Sequence, residues 1–217
     1  MQQDRGTKGF TILELLVVLA LIGIVSAVGV PNFTKWKKAR EVKNSVEKIY
    51  SLMNSIVTQT QRGHYSYVQI EANFSKTPFQ IISKGMTKDT FSNRLNQNLA
   101  LDCGDSMPWD NAKFAKFDAD DVDLHFNSSG AICFSKDGSY YKLTGQLDNN
   151  LNIFVEDKVN STKNYIILCS KSDSVKNICP ATDKLKKDQP LYLIGWSRFG
   201  MINKFKWNQR RNEWTRN

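Results

Sequence analysis

The sequence predicts an α+β protein in which a long N-terminal α-helix packs on a C-terminal antiparallel β-sheet head. Three observations carry that prediction. Residues 10–30 form an apolar run with a single ionisable side chain, Glu14. An amphipathic stretch of helical period follows, as far as about residue 61. From residue 121 onward, apolar and polar residues alternate as half-buried strands require. A chain of 217 residues has room for one anchor helix and one globular domain.

Residues 1–9 form a short leader ending in Lys8-Gly9. Residues 10–31 suit a membrane-spanning helix, since the apolar run is about 31 Å long at 1.5 Å per residue. That matches the hydrocarbon thickness of a bilayer. Glu14 is out of place there. A lone carboxylate costs about 2.5–3.5 kcal/mol near the middle of a membrane helix, and less near its end. The residues alone leave two ordinary readings open. One is a plain signal-anchor helix with Glu14 near the interface. The other is a secretory signal peptide cut after Val25-Ser26-Ala27, so that the mature chain begins at Val28.

Residues 32–62 predict an amphipathic continuation. Phe33, Trp36, Ala39, Val42, Val46, Ile49, Met53, Ile56 and Thr60 recur every three or four residues, and Lys and Glu fill the opposite face. Arg62-Gly63 is a helix stop. Pro31 lies between the two helical stretches, and the hydrogen bond it cannot donate predicts a kink there. Together they predict one bent rod.

The head is expected at 63–217. Tyr65, Tyr67, Val68 and Ile70 suggest a short extended piece, and 87–101, with Phe91, Leu95 and Leu99 four apart, a short helix. Cys103-Gly104-Asp105-Ser106-Met107-Pro108 has the chemistry of a loop. Val122, Leu124 and Phe126 alternate with Asp123 and His125, and Ser128-Ser129-Gly130 turns the chain into a strand at 131–135. Asp137-Gly138 connects it to a strand at 140–143 as a hairpin. Strands are expected at 151–155 and 165–169, then a lysine-rich loop at 170–189. A final hairpin pairs 191–197 with 201–207 about Arg198-Phe199-Gly200.

The formal net charge is +9, which favours polyanions in general without selecting one. Cys103, Cys133, Cys169 and Cys179 contain no C-x-x-C pair, which argues against a zinc ribbon. An even cysteine set behind an export segment predicts disulfides in an oxidising compartment. Of the three connectivities, Cys169–Cys179 closes a short loop and is preferred, which leaves Cys103–Cys133. The leader carries Arg5 and Lys8, whereas Lys35, Lys37, Lys38, Arg40 and Lys43 follow the apolar run. By the positive-inside tendency alone, the head would face the cytoplasm; the cysteines argue the other way.

No catalytic constellation is expected. Asp118-Ala119-Asp120-Asp121-Val122-Asp123 lacks the glycine and the closing glutamate of a calcium loop, and reads as a solvated entry to a strand. His64 and His125, the only histidines, have no ligand or nucleophile partner at a motif spacing. The chain is therefore expected to be no enzyme and to carry no metal or cofactor. The C-terminal stretch is the better candidate for binding. Arg198, Lys204, Lys206, Arg210, Arg211 and Arg216 stand against Glu213 alone, interleaved with Trp196, Phe199, Phe205, Trp207 and Trp214. Cations alternating with rings suit single-stranded nucleic acid; a solvated tail beyond an edge strand has the same composition.

Gly9-Phe10-Thr11-Ile12-Leu13-Glu14-Leu15-Leu16-Val17-Val18 resembles the prepilin signal of type IV pilins and type II secretion pseudopilins. The resemblance implies cleavage between Gly9 and Phe10 by a prepilin peptidase, N-methylation of Phe10 by the same machinery, and retention of Glu14. It also puts Pro31 where pilin helices often kink. It implies a bacterial inner-membrane protein with a cytoplasmic leader and a periplasmic head, later built with other pilin or pseudopilin subunits into a pilus or pseudopilus. Glu14 would then pair with the amine of Phe10, most usefully on a neighbouring subunit. Residues 122–135 and Trp196-Ser197-Arg198-Phe199-Gly200-Met201-Ile202 resemble the sheet and last hairpin of GspH/FimT-type minor pilins. Some members of that subfamily are DNA receptors with a basic C-terminus, so DNA becomes an alternative partner. A soluble exported protein is the remaining alternative.

Overall fold

The structure, a computed structural model, describes residues 9–73, 79–104, 106–110, 115–119, 122–124, 130–144, 165–171, 179–180, 182, 185, 189–197 and 199–216. The chain forms two compact units, 1–40 and 41–217.

Helix α1 spans Ile12–Gln61. In the first unit its apolar side chains are exposed along the run, among them Leu13, Leu16, Leu19, Ile22 and Val25. The helix is long and apolar enough to cross a membrane. It includes position 31, and the kink expected at Pro31 rests on a side chain outside the described residues. The expected stripe is buried only from Val42 onward. Phe33 and Trp36, 61% and 54% exposed, are corrections to it.

In the second unit, Val42, Val46, Ile49, Met53, Ile56 and Thr60 are buried as their spacing requires. The helix ends where Arg62-Gly63 predicts. His64 N–H donates to the Gln59 carbonyl and Gly63 N–H to the Thr60 carbonyl, both at 3.0 Å. Gly63 adopts φ +82, the left-handed conformation that this Schellman closure needs.

Among the described residues, two antiparallel five-stranded sheets follow. The first contains β1 (Tyr67–Asn73), β2 (Phe79–Met86), β3 (Ala115–Ala119), β5 (Gly130–Ser135) and β6 (Tyr141–Thr144), in the order β3-β2-β1-β5-β6. The second contains β4 (Val122–Leu124), β7 (Tyr165–Ser170), β8 (Leu191–Trp196), β9 (Ile202–Asn208) and β10 (Glu213–Arg216), in the order β10-β9-β8-β7-β4. A short helix, α2 (Lys88–Asn96), follows β2. The β5–β6 and β8–β9 hairpins stand where the turn residues place them.

The pleat sorts the side chains into three cores. Val68, Ile70 and Ala72 of β1, Ile132 and Phe134 of β5, Ile166 and Leu168 of β7, and Tyr192, Ile194 and Trp196 of β8 join the α1 stripe in one cluster. The opposite face of the first sheet carries Tyr67, Ala131 and Cys133, clustered with Met107, Trp109 and half-buried Phe91 of α2. The opposite face of the second sheet carries Tyr165, Ile167, Leu191 and Leu193, with Phe205, Trp207 and Trp214 packed against them. Each of these two outer faces is held by one disulfide, Cys103–Cys133 and Cys169–Cys179 respectively. Both bonds have the preferred connectivity.

Three details differ from expectation. Residues 122–124 and 130–135, read as consecutive strands, join different sheets: β4 pairs with β7, and β5 with β1 and β6. Residues 213–216 are an edge strand on β9 rather than a tail. β2 and β3 arise where no strand was expected; β1 is paired with β2 along its whole length, Tyr67 against Met86 to Asn73 against Gln80. The strand expected at 151–155, and His125, lie outside the described residues.

Candidate functional site

Two regions hold the candidate residues. The first is the start of α1. Gly9 and Phe10 precede the helix, in neither helix nor strand, and Phe10 is 83% exposed. Thr11 is the N-cap: its Oγ1 accepts the Glu14 backbone N–H at 3.2 Å, and its carbonyl accepts Leu15 N–H at 3.1 Å. Thr11-Ile12-Leu13-Glu14 has the spacing of a capping box, which places Glu14 in the first helical turn. A carboxylate there faces the positive end of the helix dipole. The four residues carry the signal of this cap, which is not among the expectations drawn from the sequence. The peptide bond between Gly9 and Phe10 thus lies just outside the hydrogen-bonded helix, next to an exposed carboxylate and an exposed apolar run.

The second region is the C-terminal β9–β10 hairpin, where the structure sorts the basic and aromatic residues differently. Lys204 is a correction to the contact set. It is 7% exposed, its Nζ donates to Glu47 Oε1 of α1, and it lies 5.3 Å from the centre of the Tyr50 ring. It faces the core because β9 alternates: Ile202 and Lys204 are buried beside α1, while Phe205 and Trp207 line the opposite face. Burial, with the Glu47 carboxylate adding to it, holds the Tyr192 phenol above its usual pKa. Lys204 and Glu47 are 157 residues apart, so no local signal could have paired them.

The rings are also distributed differently. Trp196 is buried in the main core and donates through Nε1 to the Tyr141 hydroxyl at 3.2 Å. Trp207 and Trp214 are cross-strand partners packed edge to face, with centroids 5.3 Å apart. Together with Phe205 they cover the outer face of the second sheet. Phe199, 57% exposed, projects from the β8–β9 turn. Gly200 of that turn has φ +77 and approaches Phe134 so closely that a Cβ would meet the ring at 2.8 Å.

The remaining cations are on the surface. Arg210 and Arg211 are exposed at the β9–β10 turn, where Asn208 Oδ1 accepts both their backbone N–H groups at 3.1 and 3.3 Å. Arg211 also approaches Glu213 at 3.7 Å. Arg216 donates to Asn203 Oδ1 at 2.7 Å. Lys206 is exposed on β9, and Arg198 lies outside the described residues. Among the described residues, no cluster of three or more His, Cys, Asp or Glu side chains could hold a metal. Asp118 pairs with Lys116 at 3.5 Å.

Residues 4–30 match the prokaryotic N-terminal methylation motif. The chain is 35% identical over 71 residues to the type IV major pilin protein PilA of Myxococcus xanthus, which is 31% of each protein. It is 36% identical over 56 residues to a fimbrial protein of Moraxella nonliquefaciens, covering 26% of this chain and 36% of that one. It is 35% identical over 54 residues to the type II secretion system core protein G of Aeromonas hydrophila, covering 25% of this chain and 38% of that one. The chain thus spans about a third of the length of the curated relatives it matches. No solved structure matches it.

Proposed function

The chain belongs, through its N-terminal segment, to the type IV pilin-like and pseudopilin family, and on that premise we propose that it is a minor pilin or pseudopilin. In this reading it is a structural subunit and no enzyme. It is stored in the inner membrane, cut after Gly9 and methylated at Phe10, and then assembles with other subunits into a type IV pilus or a type II secretion pseudopilus. The observation that carries the reading is the start of α1. A motif-matching segment there presents the Gly9–Phe10 bond outside the helix, then Glu14 in the first turn, then an exposed apolar run.

The physical roles follow. Cleavage creates an amine on Phe10 that is cationic near neutral pH, since its unperturbed pKa is about 8. Glu14 on a neighbouring helix supplies the counter-charge. Among packed apolar helices an unpaired carboxylate is costly, so the pair penalises misregistered subunits. Exposed apolar surface of this extent has to be covered by lipid or by protein, and the reading uses both in turn. GspH/FimT-type membership is the finer assignment, supported by the β8–β9 hairpin about Phe199-Gly200.

Intact-mass analysis of the mature protein tests the proposal. A chain beginning at methylated Phe10, with the leader retained in Gly9→Val, is the expected result. A mature start at Val28 would instead identify a soluble exported protein with an ordinary signal peptide.

A second reading, a DNA receptor, is favoured by one observation: Arg210 and Arg211 stand exposed on a turn ordered by Asn208. It predicts salt-sensitive DNA binding that Arg210→Ala/Arg211→Ala abolishes. Lys204→Met would leave that binding unchanged, because the Lys204 ammonium is occupied by Glu47.

A further inference from the structure

Just past the apolar run, within the first unit, α1 carries Lys35, Lys37, Lys38 and Arg40, all with exposed side chains. From the reading of residues 10–30 as a membrane span, on which this step rests, we infer that these four cations form a collar for the phosphates of anionic phospholipids. The collar lies on the side of the bilayer where the span emerges.

Its geometry selects that partner. At 3.6 residues per turn, the four positions fall around the helix axis with gaps of about 60–140°. No quadrant is left without a cation nearby. A protein or nucleic-acid partner docks on one side of a helix and would draw its contacts from one face. A lipid headgroup layer surrounds the helix and meets every face. The axial extent also fits. Lys35 to Arg40 covers about 7.5 Å, comparable to the roughly 5–8 Å depth of the headgroup region on one side of a bilayer.

Two aromatic side chains occupy the same band. Phe33 and Trp36 are both more than half exposed, and their ring centroids are 5.8 Å apart. The Arg40 guanidinium lies 5.2 Å from the centre of the Trp36 ring. An amphipathic ring at headgroup depth beside a phosphate-seeking cation is a membrane-interface arrangement. The collar also explains the charge distribution that opposes the positive-inside tendency: these cations serve an anionic leaflet instead of marking the side of retention.

Each cation near an anionic surface is worth about a fivefold gain in association. The test uses the full chain in nonionic detergent micelles, with dansyl-labelled phosphatidylglycerol or phosphatidylcholine as guest lipid and energy transfer from tryptophan as the readout. Phosphatidylglycerol should associate at least about tenfold more tightly at 0.1 M salt. The preference should collapse toward unity at 1 M salt and in Lys35→Gln/Lys37→Gln/Lys38→Gln/Arg40→Gln, with the helical circular dichroism unchanged. Equal association of the two lipids would overturn the collar and leave the membrane span standing. A chain that enters neither micelles nor vesicles would overturn the span, and the collar with it. A preference that survives the fourfold variant but disappears in Arg210→Ala/Arg211→Ala would move the site to the β9–β10 turn and overturn the inference. Displacement of phosphatidylglycerol by a single-stranded oligonucleotide at lower concentration would overturn lipid as the partner.

Discussion

Two acidic residues on α1 do different work, and each sets a prediction. Glu47 is the counter-charge of a lysine that is almost fully buried. Removing it strands Lys204 among Tyr50, Tyr192 and the α1 stripe, and such removals are the costly ones. Because Glu47 itself is part exposed, Glu47→Ala should lower stability by about 1–3 kcal/mol, whereas Lys204→Met should be near neutral. Urea unfolding of the two variants checks the ordering, and a larger loss for Lys204→Met would refute it. Glu14 costs α1 little when removed, about 0.3–1 kcal/mol from the first-turn dipole effect. Glu14→Ala should therefore be processed and inserted normally yet yield few assembled filaments. Immunoblots of sheared filaments against membranes measure that split; wild-type assembly would remove the pairing account. The Thr11 cap was readable from four adjacent residues. The Lys204 pairing was not, because Lys204 reads in sequence like any other cation of a basic C-terminus.

Among the elements, α1 was the most legible, since its 3.6-residue period and Gly63 stop are local signals. Its stripe was over-extended by Phe33 and Trp36, which keep the period but are exposed. The strands were harder. β7 and β8 are buried on both faces, so their apolar runs carry no alternation that reports which side is covered. β10 was hidden by its own chemistry, because an edge strand rich in charge looks like a solvated tail. The division of β4 and β5 between two sheets is a long-range choice that the intervening turn residues do not encode. The outer faces of both sheets depend on the disulfides. Cys103–Cys133 and Cys169–Cys179 close loops with separations of 30 and 10 residues. Loop-closure entropy assigns them about 3.6 and about 2.7 kcal/mol. Thermal unfolding of Cys103→Ser/Cys133→Ser and Cys169→Ser/Cys179→Ser should show the larger loss in the first; a reversed order would mean that packing at Cys179 dominates.

For the head as a whole, burial of phenols sets its alkaline limit. Tyr67 and Tyr165 are pushed up to about 12 by burial, the Asp102 carboxylate adding to the effect on Tyr67. Their pKa values are higher in the folded state than in the unfolded chain. The stability they contribute is complete below pH 10 and is lost as pH rises from about 10 toward about 12. Ultraviolet titration of tyrosinate, followed alongside circular dichroism, should show the two phenols ionising together with unfolding. Their ionisation in a still-folded head would contradict the burial account. The ion pair between Glu47 and Lys204 has a last consequence, for the order of biosynthesis. The α1 stripe leaves the ribosome early, but β9 is made more than a hundred residues later. The helix therefore waits with its apolar face incompletely covered until β9 has been made. A chain interrupted before β9 would leave that face open to solvent and to proteases.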